Sequence, residues 1–65
     1  MPYAKLRGVI REKFSTQEAF ARSVGMSRSA LNLKLNNKVD WSLSEIRRVC
    51  QALGISPREV HEYFF

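Results

Sequence analysis

The 65-residue sequence predicts an all-α protein, five short helices forming one domain over residues 1–65. Three observations carry that expectation. Apolar residues recur at steps of three and four, as along the buried stripe of an amphipathic helix, and no segment alternates with the period of two that a strand needs. Capping and stopping signals repeat along the chain, with Ser or Thr followed three residues later by Glu, and glycine at the exits. Length allows a single domain near the lower limit for unaided folding, which leaves no room for a cavity around a large cofactor.

The elements follow in order. Leu6, Val9, Ile10 and Phe14 mark a first helix over residues 3–14, slightly weakened by Gly8. Either Ser15, with Glu18 in a capping box, or Thr16, with Gln17 in the first turn, caps a second helix whose buried stripe is Ala19, Phe20 and Val24. Gly25 ends it, because glycine takes the left-handed conformation without a steric cost. After the short link Gly25, Met26 and Ser27, Ser27 caps a third helix, and so tight a turn makes the two helices cross steeply. The segment "NNKVD" breaks that helix. Ser42 and Glu45 box the fourth, whose inner face is Ile46, Val49, Cys50 and Leu53 and whose stop is Gly54. Trp41, just ahead of that cap, is expected to pack on the fourth helix as a hydrophobic staple. In "SPREV", Ser56 caps, Pro57 takes the first helical position and Glu59 closes the box of a fifth helix.

At 45% hydrophobic and 26% charged residues the composition is that of an ordinary globular protein, neither disordered nor membrane-embedded. No apolar run approaches the ~20 residues of a membrane span, and the N-terminus lacks a signal peptide's apolar core, so a cytoplasmic location is expected. Cys50, alone, can make neither an internal disulfide nor a metal cluster and is expected to be core filler. Charge is divided unevenly. Residues 1–38 hold eight Lys or Arg against two acids, a balance of +6, whereas residues 39–65 hold three against four, a balance of −1. That asymmetry favours a polyanionic partner for the N-terminal half.

The third helix carries an unusual outer face. At 100° per residue, Arg28, Ser29, Asn32, Leu33 and Asn36 share an arc of about 140°. A solvated helix face would carry Glu and Lys in i, i+4 pairs. This one carries short hydrogen-bonding groups, an arginine and a bare leucine.

The segment "TQEAFARSVGMSRSALNLKLNN" followed by "SLSEIRRVCQALGISPREV" resembles the phage Cro/CI-type helix-turn-helix repressor family, and with the first helix the likeness covers nearly the whole chain. Ala21 stands where that family brings its two helices close, and Gly25 where it turns. The resemblance implies a lambda-repressor-like DNA-binding domain with the helix-turn-helix at helices two and three. It implies a third helix in the major groove of an operator, a second helix across the backbone, and a phage or prophage transcriptional regulator, a repressor, working among the host's nucleoid DNA.

The residue chemistry agrees with that implication. A helix of about 13 Å suits the groove. Arg28 can form two hydrogen bonds to guanine, the Asn32 amide suits adenine, the Ser29 hydroxyl can donate or accept, and Leu33 can cover a thymine methyl. These four are the expected base readers. Backbone contacts are expected from Gln17, matching the family's glutamine at the start of helix two, and from Ser27, Asn36, Lys38, Arg7 and Arg11. Arg22, Arg47 and Arg48 read equally well as solvated surface.

Lys34 departs from the family, which places an apolar residue there. Either its stem lies along the core and its amine rises to solvent or phosphate, or the helix turns so that Leu31 and Leu35 face inward and Arg28 flanks the groove face. The C-terminal Tyr63, Phe64 and Phe65 carry more apolar area than a small monomer leaves exposed. They either fold back on the first helix or join two copies into a homodimer that reads half-sites about one helical turn apart. No nucleophile motif or metal-ligand spacing is present, His61 stands alone, and neither an enzyme, a small-molecule substrate nor a cofactor is expected. The rival reading is a small helical protein-interaction module, antirepressor or antitoxin-like, using the same surface.

Overall fold

In a computed structural model, which describes residues 2–65, the chain forms α1 (Ala4–Lys13), α2 (Gln17–Ser23), α3 (Arg28–Leu35), α4 (Leu43–Leu53) and α5 (Val60–Phe64). A single turn of 3-10 helix, Pro57–Glu59, leads into α5, and no strand occurs among the described residues. The all-helical class and the count of five helices match the expectation.

The caps explain most of the boundaries. Thr16, not Ser15, begins α2: its hydroxyl oxygen accepts from the Ala19 N–H at 3.0 Å. Ser27 does the same for α3 through the Ala30 N–H at 3.1 Å. Ser42 and Glu45 form the reciprocal box at α4, with bonds of 3.1 and 2.8 Å. Ser56 and Glu59 close the expected box ahead of the last helix. The Glu59 carboxylate accepts from the Ser56 N–H and hydroxyl, while the Glu59 N–H donates to the Ser56 carbonyl, which tightens the turn to 3-10.

Gly25 stands at φ 73°, and the Met26 N–H reaches back to the Ala21 carbonyl at 2.9 Å, which closes α2 and starts the turn. Asn37, at φ 61°, closes α3 in the same way, with the Lys38 N–H bonded to the Leu33 carbonyl at 2.9 Å. Asparagine tolerates this region better than most side chains. The break expected at "NNKVD" thus has a specific residue behind it.

Leu6 and Ile10 of α1, Phe20 and Ala21 of α2 with Val24 beyond it, Leu31 and Leu35 of α3, Val49 and Leu53 of α4, Ile55 and Phe64 form the core. Ala19, expected in the stripe of α2, is only half-buried, and Ala21 takes the inward place instead. Phe14 meets Phe20 edge to face at 5.1 Å. Ile46 and Cys50 pack only partly against the core. They line an apolar groove along α4 with Leu43, Ile55, Pro57 and Val60, where burial pushes the Cys50 thiol pKa up.

The C-terminal aromatics fold back. Phe64 is buried against Trp41 at 5.2 Å, Lys5 of α1 lies over the Tyr63 ring at 4.8 Å, and Lys5 also pairs with Glu62. That pairing raises the Lys5 pKa and lowers that of Glu62. Phe64 is therefore closed into its own chain and is not available to join two copies, whereas Phe65 is 81% exposed. Trp41 lines one pocket with Ile46 and meets Tyr3 edge-on at 6.2 Å. It thus ties the start of α4 to both ends of the chain.

Candidate nucleic-acid interface

The site is built from the outside of α3 and the elements that hold it. Arg28, Ser29, Asn32, Leu33 and Asn36 are all exposed, and Leu33, 45% exposed, is one of few large apolar side chains left in solvent. Behind them Leu31 and Leu35 are fully buried and Lys34 retains only 8% exposure.

The two alternatives for α3 therefore combine, with one correction. Both leucines face inward and the Lys34 side chain is largely buried beside them, but its amine does not rise to solvent or an open phosphate position. It donates to the Asp40 carbonyl at 3.2 Å and pairs with Glu45 at 3.3 Å. With Leu31, Lys34 and Leu35 marking the inward direction, helical geometry puts Ser29, Leu33 and Asn36 at the centre of the outer face. Asn32 stands beside them and Arg28 on the flank. Glu45 meets this demand because two of its partners hold it ionised. The Ser42 N–H and then Lys34 draw its pKa below the ordinary carboxylate value.

The residues expected on the backbone divide into two groups. Gln17, the first residue of α2, shares one shallow pocket with Arg7 and Arg11 of α1 and with the cap Thr16. Lys38 is exposed just past the Asn37 turn, and Ser27 uses its oxygen as the cap of α3. Arg7 has internal work. Its Nε donates to the Pro2 carbonyl at 2.9 Å, and its Nη2 donates to the Leu35 carbonyl at 2.7 Å and to Asn36 Oδ1 at 2.8 Å. Arg7 thereby caps the C-terminal end of α3 from α1, which suits a cation there. Asn36 in turn donates from Nδ2 to Asn32 Oδ1 at 3.3 Å.

Of the eight basic residues in the first 38, Lys5 and Lys34 are thus paired with acids of the C-terminal half. Arg11, Lys13, Arg22, Arg28 and Lys38 are exposed and form no ion pair among the described residues. Sequence reasoning missed two supports. Glu45 was legible only as a cap, although a lysine in an apolar slot calls for a nearby acid. The bracing by Arg7 joins residues 28 or more positions apart and leaves no local signal.

Among the described residues no group of three or more His, Cys, Asp or Glu is placed to hold a metal ion, and no helix is long and apolar enough to cross a membrane. The sequence matches no curated protein. A family model described as "Protein of unknown function (DUF739)" matches residues 1–65, the full length of the sequence. The chain belongs to the DUF739 family.

Proposed function

We propose that the protein is a sequence-specific double-stranded-DNA-binding transcriptional regulator of the phage or prophage repressor kind, with α2 and α3 as its helix-turn-helix and α3 in the major groove. The observation that carries this reading is the outer face of α3. It exposes a guanidinium, a hydroxyl, two amides and a leucine with no carboxylate among them, on a helix fixed from behind by Leu31, Leu35 and the Lys34–Glu45 pair. Such groups address base edges, and Arg11 and Lys38, exposed and without an ion pair among the described residues, supply charge for phosphate. The protein acts by occupying a site, not by chemistry.

Binding of the protein to mixed-sequence duplex at rising salt tests the reading. Affinity should fall steeply between 50 and 200 mM salt, on the order of tenfold for each two phosphate contacts. Chemical-shift mapping should place the perturbed amides on α3 and the start of α2. Exposure of Leu33 also suits a protein-interaction module using the same face. Salt-insensitive behaviour with no DNA-induced shifts would favour that module. A DNA-bound pair of copies would have Phe65 and the outer side of Tyr63 to join them, and sedimentation at several concentrations reads that directly.

A further inference from the structure

We infer that a run of hydrogen bonds from Arg7 through Asn36 fixes the Asn32 amide with its NH2 group outward, so that Asn32 reads a keto base, guanine or thymine, in preference to adenine. The inference rests on the DNA-binding reading above and adds the base class to it.

The polarity of the run is dictated by its first member. A guanidinium has five N–H donors and no acceptor. Arg7 is held on three sides, by the Pro2 carbonyl, the Leu35 carbonyl and Asn36, so it cannot turn away. Asn36 must therefore offer Oδ1 to Nη2, because its NH2 in that place would set donor against donor. With Oδ1 spent at 2.8 Å, Asn36 has its Nδ2 left for the next neighbour, one helical turn back. Asn32 meets that donor with its own Oδ1 at 3.3 Å. Its oxygen is thus turned along the helix toward Asn36, and its NH2 is what remains for a ligand.

Adenine is gripped by asparagine through two bonds, one accepted from N6 and one donated to N7. That grip needs both ends of the amide. An amide turned with its NH2 outward fits guanine, with acceptors at O6 and N7, or thymine, with O4. Adenine offers it N7 alone beside an N6 donor that it cannot meet, and cytosine's N4 sets donor against donor. The orientation that suits adenine is thus lost to the brace that holds α3 to α1.

The experiment has two arms. In DNA-free protein, the side-chain amide resonances of Asn32 and Asn36 should both move in Arg7→Met, and that of Asn32 should move in Asn36→Ala, which keeps a reading should the first variant fail to fold. Resonances indifferent to both changes would overturn the relay whatever the protein binds.

In the second arm, bound sites are selected from a random duplex pool. The position whose preference disappears in Asn32→Ala is the one this side chain reads. Guanine or thymine should be favoured there over adenine and cytosine by about fivefold or more. Asn36→Asp replaces the relay's donor with a carboxylate that only accepts. It keeps the bond from Arg7, turns the Asn32 NH2 inward, and should move the preference to adenine or cytosine, whatever its added charge does to overall affinity. Adenine preferred by the wild type, or a preference unchanged in Asn36→Asp, would overturn the inference. A pool without any enriched site would remove the DNA reading itself, and this assignment with it.

Discussion

Lys34 Nζ stands 3.3 Å from Glu45 Oε1, and this pair joins the inner side of α3 to the first turn of α4. Both side chains are largely withdrawn from water, at 10% and 19% exposure. A pair so placed costs desolvation as well as gaining attraction, so its net contribution is modest, but an unmatched half is expensive.

Lys34→Ala removes both the stem and the partner of Glu45 and should cost about 1–3 kcal/mol in urea unfolding. Lys34→Met retains the stem in the apolar slot and should cost clearly less. Equal losses would mean that stem packing contributes nothing.

Stability should depend on pH through Glu45. Its folded pKa is depressed, chiefly by the Ser42 N–H and then by Lys34, so the stability it contributes is present above the ordinary glutamate value of 4.5. It is lost as pH falls through the lower folded value. The melting temperature should drop as pH is lowered from 5 toward 3, and the drop should shrink in Glu45→Gln. Glu62→Gln should change this profile little, because the Lys5–Glu62 pair is exposed to solvent screening.

Two glycines should respond oppositely to alanine. A Cβ at Gly25 would meet no atom within 4 Å, so the expected loss of about 1–2 kcal/mol in Gly25→Ala comes from its φ of 73° alone. Gly8 lies inside α1 with equal space and an ordinary helical φ, and Gly8→Ala should stabilise by about 0.5–1 kcal/mol. Thermal melts of the two variants make the comparison.

On a site selected from random duplexes, Arg28→Ala should lose about 1–3 kcal/mol of binding with folding unchanged, and the loss should be confined to sequences carrying its base. Lys38→Ala should weaken every duplex alike and reduce the salt slope by about one. Titrations on matched and mismatched duplexes separate the two outcomes.

Much of the fold was legible because its signals are local. Ser27, Ser42 and Gly25 act within four residues of themselves, and Leu6, Ile10, Val49 and Leu53 repeat at the helical period. The choice of Thr16 over Ser15 was not legible, since both offer a hydroxyl oxygen near the same N–H groups. The exposure of the α3 face followed from periodicity. Its support did not, because Arg7 meets Asn36 across 29 positions and Lys34 meets Glu45 across a loop. Phe64 and Phe65 illustrate the same limit at the C-terminus: adjacent and chemically alike, one is buried and the other in solvent, a difference set by where α5 lands on α1.

Cys50 has a practical consequence. Its thiol sits half-covered beside Ile46 and Ile55, and burial pushes its pKa above the ordinary thiol value, which lowers its thiolate fraction and makes it a poor nucleophile. A bulky maleimide should therefore modify the native protein far more slowly than free cysteine. Its rate should climb with urea as the helices part, so that the molecule carries its own clock for opening.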